Sequence, residues 1–580
     1  MAEVLISPGV LARENDQSQI TAGPVQAGAA IIGPAVKGQQ NIPKLVTSYS
    51  EYLANFGSTF LSGSNQYTYF TSISAYNYFQ NGGTSLLVTR VTPGAFSAAT
   101  SSLIPTGSAG TLTADTSPFV LETLAHGNIM NSGPQADVGT NGTLTSGSSD
   151  NFRWEITNPS TSSGVFSLLI RQGNDTQTSK QVVETFSNIS LDPLATNYVS
   201  KVIGDQVQTV RGSGTDVYLQ SSGSYPNASR YVRVKEVNFQ TPNYFDNAGS
   251  PKSIFTGSIP AASSGSFGGG IGDISGSGDP ANYYQNINDV DSQGLVGTDY
   301  TTAINLLANR DDFRYNMITA PGLILANGTT GAGWTTIQSN CETRGDAIFV
   351  GDLVNYNASL TQVTGQAASV DSSYVASYWP WLQVIDPDSR DLVWVPASTM
   401  IPGVYAYNDR AGEPWFAPAG INRGGLGAVN QAERKLTNTN RDDLYTGKVN
   451  PIASFPGQGI VVFGQKTLQT KASALDRVNV RRLLITLKNY ISQIADTLVF
   501  EQNTAATRNT FLAQVNPYLE SVQQRQGLYA FKVVMDNTNN TPDVIDRNEL
   551  IGAVYLQPTK TAEFIYLDFN ILPTGATFPA

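Results

Sequence analysis

YFTSISAYNYFQNGGTSLLVTRV, residues 69–91, sets the architecture of this chain. Tyr69, Phe70, Ile73, Tyr76 and Phe79 recur at steps of three and four, the spacing of one helix face. Asn81-Gly82-Gly83 stops that helix, because glycine takes the left-handed cap conformation without a steric cost. Ser85–Val91 then reads as a buried strand. A helix returning directly into a buried strand is an α/β unit. The aromatic side chains could form a stacking platform for a ligand, but as the face that packs on the strand they belong to the core. Ala29–Gly33 is a second short apolar strand of the same unit, which is assigned to residues 23–95.

Outward from this unit the chain changes character. Residues 1–22 read as an extended arm: apolar Val4 and Ile6 lead it, Pro8-Gly9 interrupts, residues 10–13 resume from Val10, and Pro8 forbids continuous sheet pairing. The arm is too thin to bury its own apolar side chains, so it needs a surface to lie on; a frayed terminus is the plainer alternative. Residues 96–284 are rich in β signals, with strands expected at 152–157, 165–171 and 230–237. Within them, 257–280 is so rich in Gly and Ser that composition predicts a flexible loop. Residues 285–440 return to α/β character, with a helix at 301–309 and a strand at 315–319 ending at Ala320-Pro321-Gly322. Residues 441–580 hold a buried strand at 459–464, then a long helix with apolar positions Val480, Leu483, Leu484, Leu487, Ile491, Ile494 and Leu498. Arg477, Arg481, Arg482 and Lys488 form a basic stripe on it, either a solvated face or a docking face for an acidic partner. A second helix is expected at 508–524, kinked or divided by Pro517. In 562–571, Ile565, Leu567, Phe569 and Ile571 alternate with Phe564, Tyr566, Asp568 and Asn570 as a strand with one apolar face. The fold class is therefore α+β and multidomain: α/β central (23–95 and 285–440) and C-terminal (441–580) units, a β-rich insertion (96–284), and extended terminal arms.

At roughly 150 residues per domain, 580 residues make about four domains or subdomains. Net charge is −11, which disfavours nucleic acid as a partner. Residues 441–580 carry 13 basic and 12 acidic residues against 21 and 33 in the remainder, so the two parts face different neighbours. The single cysteine, Cys341, allows no internal disulfide and fits assembly in a reducing cytoplasm. Neither a signal peptide nor a membrane-spanning run is expected.

Chemistry is sparse. His126 is the only histidine, so any Ser-His-Asp or Cys-His site would have to use it, and no nucleophile signature surrounds it. The chain lacks HExxH and CxxC, and its Gly-rich stretch lacks a phosphate-loop ending. Asp311-Asp312, Asp386/Asp388 and Asp442-Asp443 are pairs that divalent ions can bind but that more often cap turns. No catalytic, cofactor or metal site is assigned, and an enzyme is not expected.

The order of short segments resembles that of the tail sheath proteins of contractile-tailed bacteriophages. Ser7–Val10 with Glu14, Asp16 and Ser18 is similar to that family's opening. Ile32–Ala35 with Lys37-Gly38, Phe79–Gly83 leading to Val88–Val91, and Glu184–Phe186 with Leu191–Pro193 continue it. So do Ala320–Gly322, Tyr378–Trp381, Gly403–Ala406 and Ala417–Gly420. Asn450–Ile452, Gly459–Gly464, Val478–Leu483, Glu501 with Asn503, and Ala562–Phe564 complete the series. The likeness is weakest at 97–150 and 240–284.

The resemblance implies a structural subunit of the virion tail, assembled in the host cytoplasm. Such a subunit polymerises around a tail tube and contracts to drive the tube through the host envelope for genome delivery. It implies heterologous, open-ended contacts between copies. Exchanged strands at Val4, Ile6 and Val10 and at Ile565, Leu567 and Phe569 would join neighbours by strand addition. The C-terminal part would face the tube, through Arg477, Arg481, Arg482 and Lys488, and the insertion would protrude. Implied partners are other copies, the tail tube protein, the baseplate and the tail terminator, without nucleic acid, cofactor or membrane insertion. The alternatives are the sheath of a phage-like secretion or bacteriocin particle, and a β-rich tail fibre or adhesin.

Overall fold

The computed structural model describes residues 25–107, 117–133, 141–273 and 282–564. A six-stranded sheet forms its centre, in the order Val375–Ala376, Ile348–Asp352, Met317–Ile324, Ala29–Pro34, Leu86–Val91, Lys44–Val46. The first five strands are parallel and the last is antiparallel. Alternating side chains serve two different cores, as a parallel sheet covered on both faces requires. Ala29, Ile31, Leu86, Val88, Ile348 and Val350 join one core, and Ala30, Ile32, Leu87 and Phe349 the other. Helices Phe70–Gln80 and Ile401–Ala411 cover the first face; Gly328–Arg344 and Leu360–Ala368 contribute to the second.

Helix Phe70–Gln80 is buried on almost every side, including Thr71, Ser72 and Ser74. The absence of a side chain at Gly33 permits this: a Cβ there would lie 2.4 Å from the Thr71 hydroxyl, so glycine sets how closely helix and strand approach. Tyr378, Trp379 and Trp381 are packed inside as a corner. The strand expected to stop at Ala320 instead runs on to Ile324. Pro321-Gly322 sits in an irregular stretch of the ladder between Thr319 and Ile324, where a missing N–H is tolerated.

The insertion builds a separate antiparallel sheet of seven strands. Their order is Val182–Ser190, Val165–Gln172, Phe152–Ser160, Ser263–Gly268, Ala98–Ser101, Phe119–His126, Val232–Val237. Composition marked 257–280 as a loop, yet Ser263–Gly268 is the middle strand of this sheet. The reason is steric. The Trp154 ring lies across Gly265, where a Cβ would come within 2.3 Å of it, so here glycine makes room for a fully buried indole. Gly265→Ala is expected to cost about 1–3 kcal/mol through overpacking. Urea unfolding of the variant checks this, and an unchanged midpoint would sink the steric account.

Arg90 ties the insertion to the central sheet. Its guanidinium donates to the carbonyls of Ala35 (2.9 Å), Gly38 (2.6 Å) and His126 (2.8 Å) while stacking on Phe96. His126 is thus half-buried beside a cation, and burial with the Arg90 charge pushes its pKa down to about 4.

The C-terminal part packs around its own core. Helix Val478–Asp496, helix Ala505–Gln524 and the hairpin Leu528–Val534/Ala553–Pro558 supply Leu483, Leu487, Val515, Leu519 and Leu528 to it. Pro517, expected to kink or divide the second helix, does not divide it, and Ala505–Gln524 is a single helix. Val515 and Leu519 on either side of the proline are fully buried, so packing holds the helix across the missing hydrogen bond. The boundary at 440/441 is not where pairing divides: Asn450-Pro451 ladders with Tyr378-Trp379, so strand Asn450–Phe455 belongs with the central part. Among the described residues no helix is long and apolar enough to cross a membrane, and no group of three His, Cys, Asp or Glu could hold a metal.

Candidate intersubunit site

The long helix Val478–Asp496 has two apolar faces. Leu483, Leu487 and Ile494 enter the C-terminal core, while Val478 and Ile485 enter the central one. Arg481 and Arg482 lie three or four residues from both Val478 and Ile485, so they share the inward face toward the central part. This corrects the reading of the basic stripe as a free docking face. Arg481 and Arg482 are 4% and 5% exposed.

Each arginine has an internal task. Arg482 donates to Asp409 at 2.5 Å and its guanidinium lies 4.7 Å from the Tyr405 ring centre, whose hydroxyl meets that of Tyr378 at 2.7 Å. Arg481 stacks on Tyr374 at 4.0 Å and donates to the Ser373 hydroxyl. These pairs fasten the helix to the central part. Lys488 is the exposed member of the stripe, with its ammonium 3.5 Å from the Tyr374 hydroxyl.

Arg477 marks the place where the C-terminal chain leaves. It donates to Glu563 at 2.7 Å, and the same carboxylate accepts from Tyr445 at 2.5 Å and Gln465 at 3.0 Å. Burial alone would raise the Glu563 pKa, but these hydrogen bonds, led by Arg477, hold it below the usual carboxylate value. Phe564, the next residue, is 68% exposed beside a groove lined by Arg441, Tyr445 and Phe463. Ile565, Leu567 and Phe569 follow outside the described residues, as Val4, Ile6 and Val10 precede them at the other end. At that end Val25–Ala27 pairs in parallel with Phe313–Tyr315, beside Asn489, Ser492 and Gln493 of the same helix. The first and last described segments of the chain therefore lie beside opposite ends of the long helix, about 24 Å apart along its axis between Arg477 and Gln493.

The hairpin offers the surface for strand addition. Phe531, Val533, Val554 and Leu556 turn inward on the C-terminal core, while Tyr529 and Tyr555 are 63% and 62% exposed. Among the described residues the hairpin is a sheet of two strands only, so each strand has one edge of N–H and C=O groups without a ladder partner. Sequence reading missed this hairpin, although YAFKVV (529–534) and AVYLQ (553–557) carry enough aromatic and β-branched residues to mark strands.

Residues 293–468 match the family model of the phage tail sheath protein central domain, and residues 470–572 that of the phage tail sheath C-terminal domain. Residues 293–572 of this chain are thus similar to phage tail sheath domains. A tail sheath protein of Vibrio phage KVP40 is 33% identical over 59% of this chain and 52% of its own length. That of Enterobacteria phage T4 is 36% identical over 40% of this chain and 35% of its own. The chain thus spans about half or less of the length of these relatives. A sheath tail protein from Listeria innocua superposes over 92% of this chain and 96% of its own, with TM-score 0.49 and 10% identity.

Proposed function

We propose that the chain is the structural subunit of a contractile phage tail sheath. It polymerises around the tail tube, anchors at the baseplate and a head-proximal terminator, and contracts to drive the tube through the host envelope. The observation that carries this reading is the hairpin of the C-terminal part, a sheet of two strands only among the described residues, which the C-terminal arm leaves by way of Glu563. Strands of neighbouring copies, around Val4–Val10 and Ile565–Phe569, complete that sheet by backbone hydrogen bonds. The anchors at Glu563 and at Val25–Ala27 keep the root of each arm in its own subunit while the subunits rotate.

Electron microscopy of the purified full chain is expected to show striated hollow tubes. Removing residues 1–13 or 565–580 is expected to abolish them while the circular dichroism spectrum is retained. Tubes formed by either truncated chain would sink the exchange. Contact of the long helix with the tail tube falls to Lys488, since Arg481 and Arg482 are committed inside. Lys488→Glu is expected to lower co-assembly on purified tubes by no more than about fivefold, the range of an exposed ion pair. Full retention of co-assembly would place the tube contact elsewhere.

A further inference from the structure

We propose that Val499 and Phe500 form an apolar knob that seats in the groove beside Arg441, Tyr445 and Phe463 of a second copy of this chain. The contact rests on the reading that copies join in an open series. Leu498 still packs on the C-terminal core, but the chain then turns away from it: Val499 is 60% exposed and Phe500 wholly so. Phe500 also holds φ at 71°, in the left-handed region that a bulky side chain rarely adopts. A single apolar side chain on a surface needs no explanation. Two in succession, on the turn between helices Val478–Asp496 and Ala505–Gln524, present an anchor of the kind that fills a partner's pocket.

The groove has the matching character. It encloses about 520 Å³, and Ala419, Pro451, Phe463 and Phe564 are among its walls. Phe463 and Phe564 are 46% and 68% exposed, so this apolar surface is uncovered among the described residues. The charges match as well. Glu501, next to the knob, is exposed and has no ion pair among the described residues. Arg441 lines the groove and engages the Phe455 and Phe463 rings, Asn438 and the Leu436 carbonyl, but no carboxylate. Of the acids lining the groove, Glu563 is held by Arg477, Tyr445 and Gln465, and Asp442 is exposed to water.

Knob and groove stand at opposite ends of the long helix. Arg477, at its start, contacts Tyr445 and Glu563 of the groove, whereas Val499 comes just after its last residue, Asp496. Along the axis the two ends are about 28 Å apart. A copy displaced along this axis therefore brings its groove to the knob of the copy before it. Such a contact joins unlike patches and repeats without closing, as an open helical series requires.

The test mixes two full-length variants, Val499→Cys and Ala419→Cys, under mild oxidation; Cys341 is 1% exposed and does not compete. A covalent dimer is expected in the mixture and in neither variant alone. Adding Phe500→Ser to the first chain is expected to lower its yield about tenfold or more, as the transfer of a phenylalanine side chain from water implies. Adding Glu501→Arg instead is expected to lower it about three- to fivefold, the range of an exposed ion pair, and Arg441→Glu in the second chain to restore it. No dimer in the mixture overturns the contact, and so does an equal yield from Val499→Cys alone, which means a symmetric pair. A dimer that appears only after residues 565–580 are removed assigns the groove to the chain's own C-terminal segment and overturns it too. Tubes from the parent chain without the mixed dimer leave the sheath reading standing and refute the knob; a mixed dimer without tubes does the reverse.

Discussion

Arg482→Ala is expected to destabilise the protein by about 3 kcal/mol, among the largest effects of any single side chain on the surface of the long helix. The side chain is 5% exposed and paired with Asp409 at 2.5 Å. Removing one partner of a buried ion pair leaves the other charge without compensation, which costs roughly 3–5 kcal/mol. The Asp409 side chain is 33% exposed and regains some hydration, so the low end applies. The stacking on Tyr405 is lost as well. Arg482→Lys keeps the charge but not the planar fork, and is expected to fall between the two. Guanidinium unfolding followed by tryptophan fluorescence measures both, since Trp415 packs in the adjoining core beside Leu483. A cost under about 1 kcal/mol for Arg482→Ala would show that the pair behaves as a surface pair.

Stability is expected to depend on pH through one buried and one half-buried group of opposite sign. Asp352 closes the strand Ile348–Asp352, is 4% exposed, and accepts from the amide (3.0 Å) and hydroxyl of Ser398. Burial outweighs those two hydrogen bonds and pushes its carboxyl up to about 7. In the unfolded chain the group titrates near 4. Its contribution is therefore complete below about pH 4 and is lost as pH rises through about 7, by up to about 4 kcal/mol at 1.36 kcal/mol per unit.

His126 works the other way. Its pKa is lowered to about 4, so its contribution is present above about pH 6.5 and lost as pH falls through 4. Between pH 4 and 6.5 the two slopes oppose each other. Asp352→Asn is expected to be more stable than the parent at pH 8, with stability that rises from pH 4 to 6.5. His126→Gln is expected to lose stability steadily from pH 4 to 7. Differences between variants cancel what the remaining groups add. Parallel curves for the parent and Asp352→Asn would remove Asp352 from the account.

Readable in the sequence were the elements whose signal is local. The step of three and four in 69–79, the Gly stop and the apolar run 85–91 became helix Phe70–Gln80 and strand Leu86–Val91 at the centre of the sheet. The strands expected at 152–157, 165–171 and 230–237 are all present in the insertion. Elements whose stability comes from distant partners were not readable. Ser263–Gly268 has the composition of a linker and is a strand only because Trp154 and two neighbouring strands close over it. Helix Ala505–Gln524 survives Pro517 because its flanking residues are buried. The candidate site divides in the same way. The terminal segments stand out by their alternation, whereas the acceptor hairpin lies on residues that drew no attention.

The sequence by itself determined the α+β class, the β-rich character of the stretch between the two α/β parts and the likeness to tail sheaths. Each of these follows from composition, short-range periodicity and segment order. Only the tertiary structure decided where the charges of the long helix go. A stripe of arginines at helical spacing looks the same in sequence whether it meets solvent or a second core. The difference lies in Val478 and Ile485, which turn that face inward against Tyr374, Tyr405 and Asp409, residues 70 to 110 positions away in the chain.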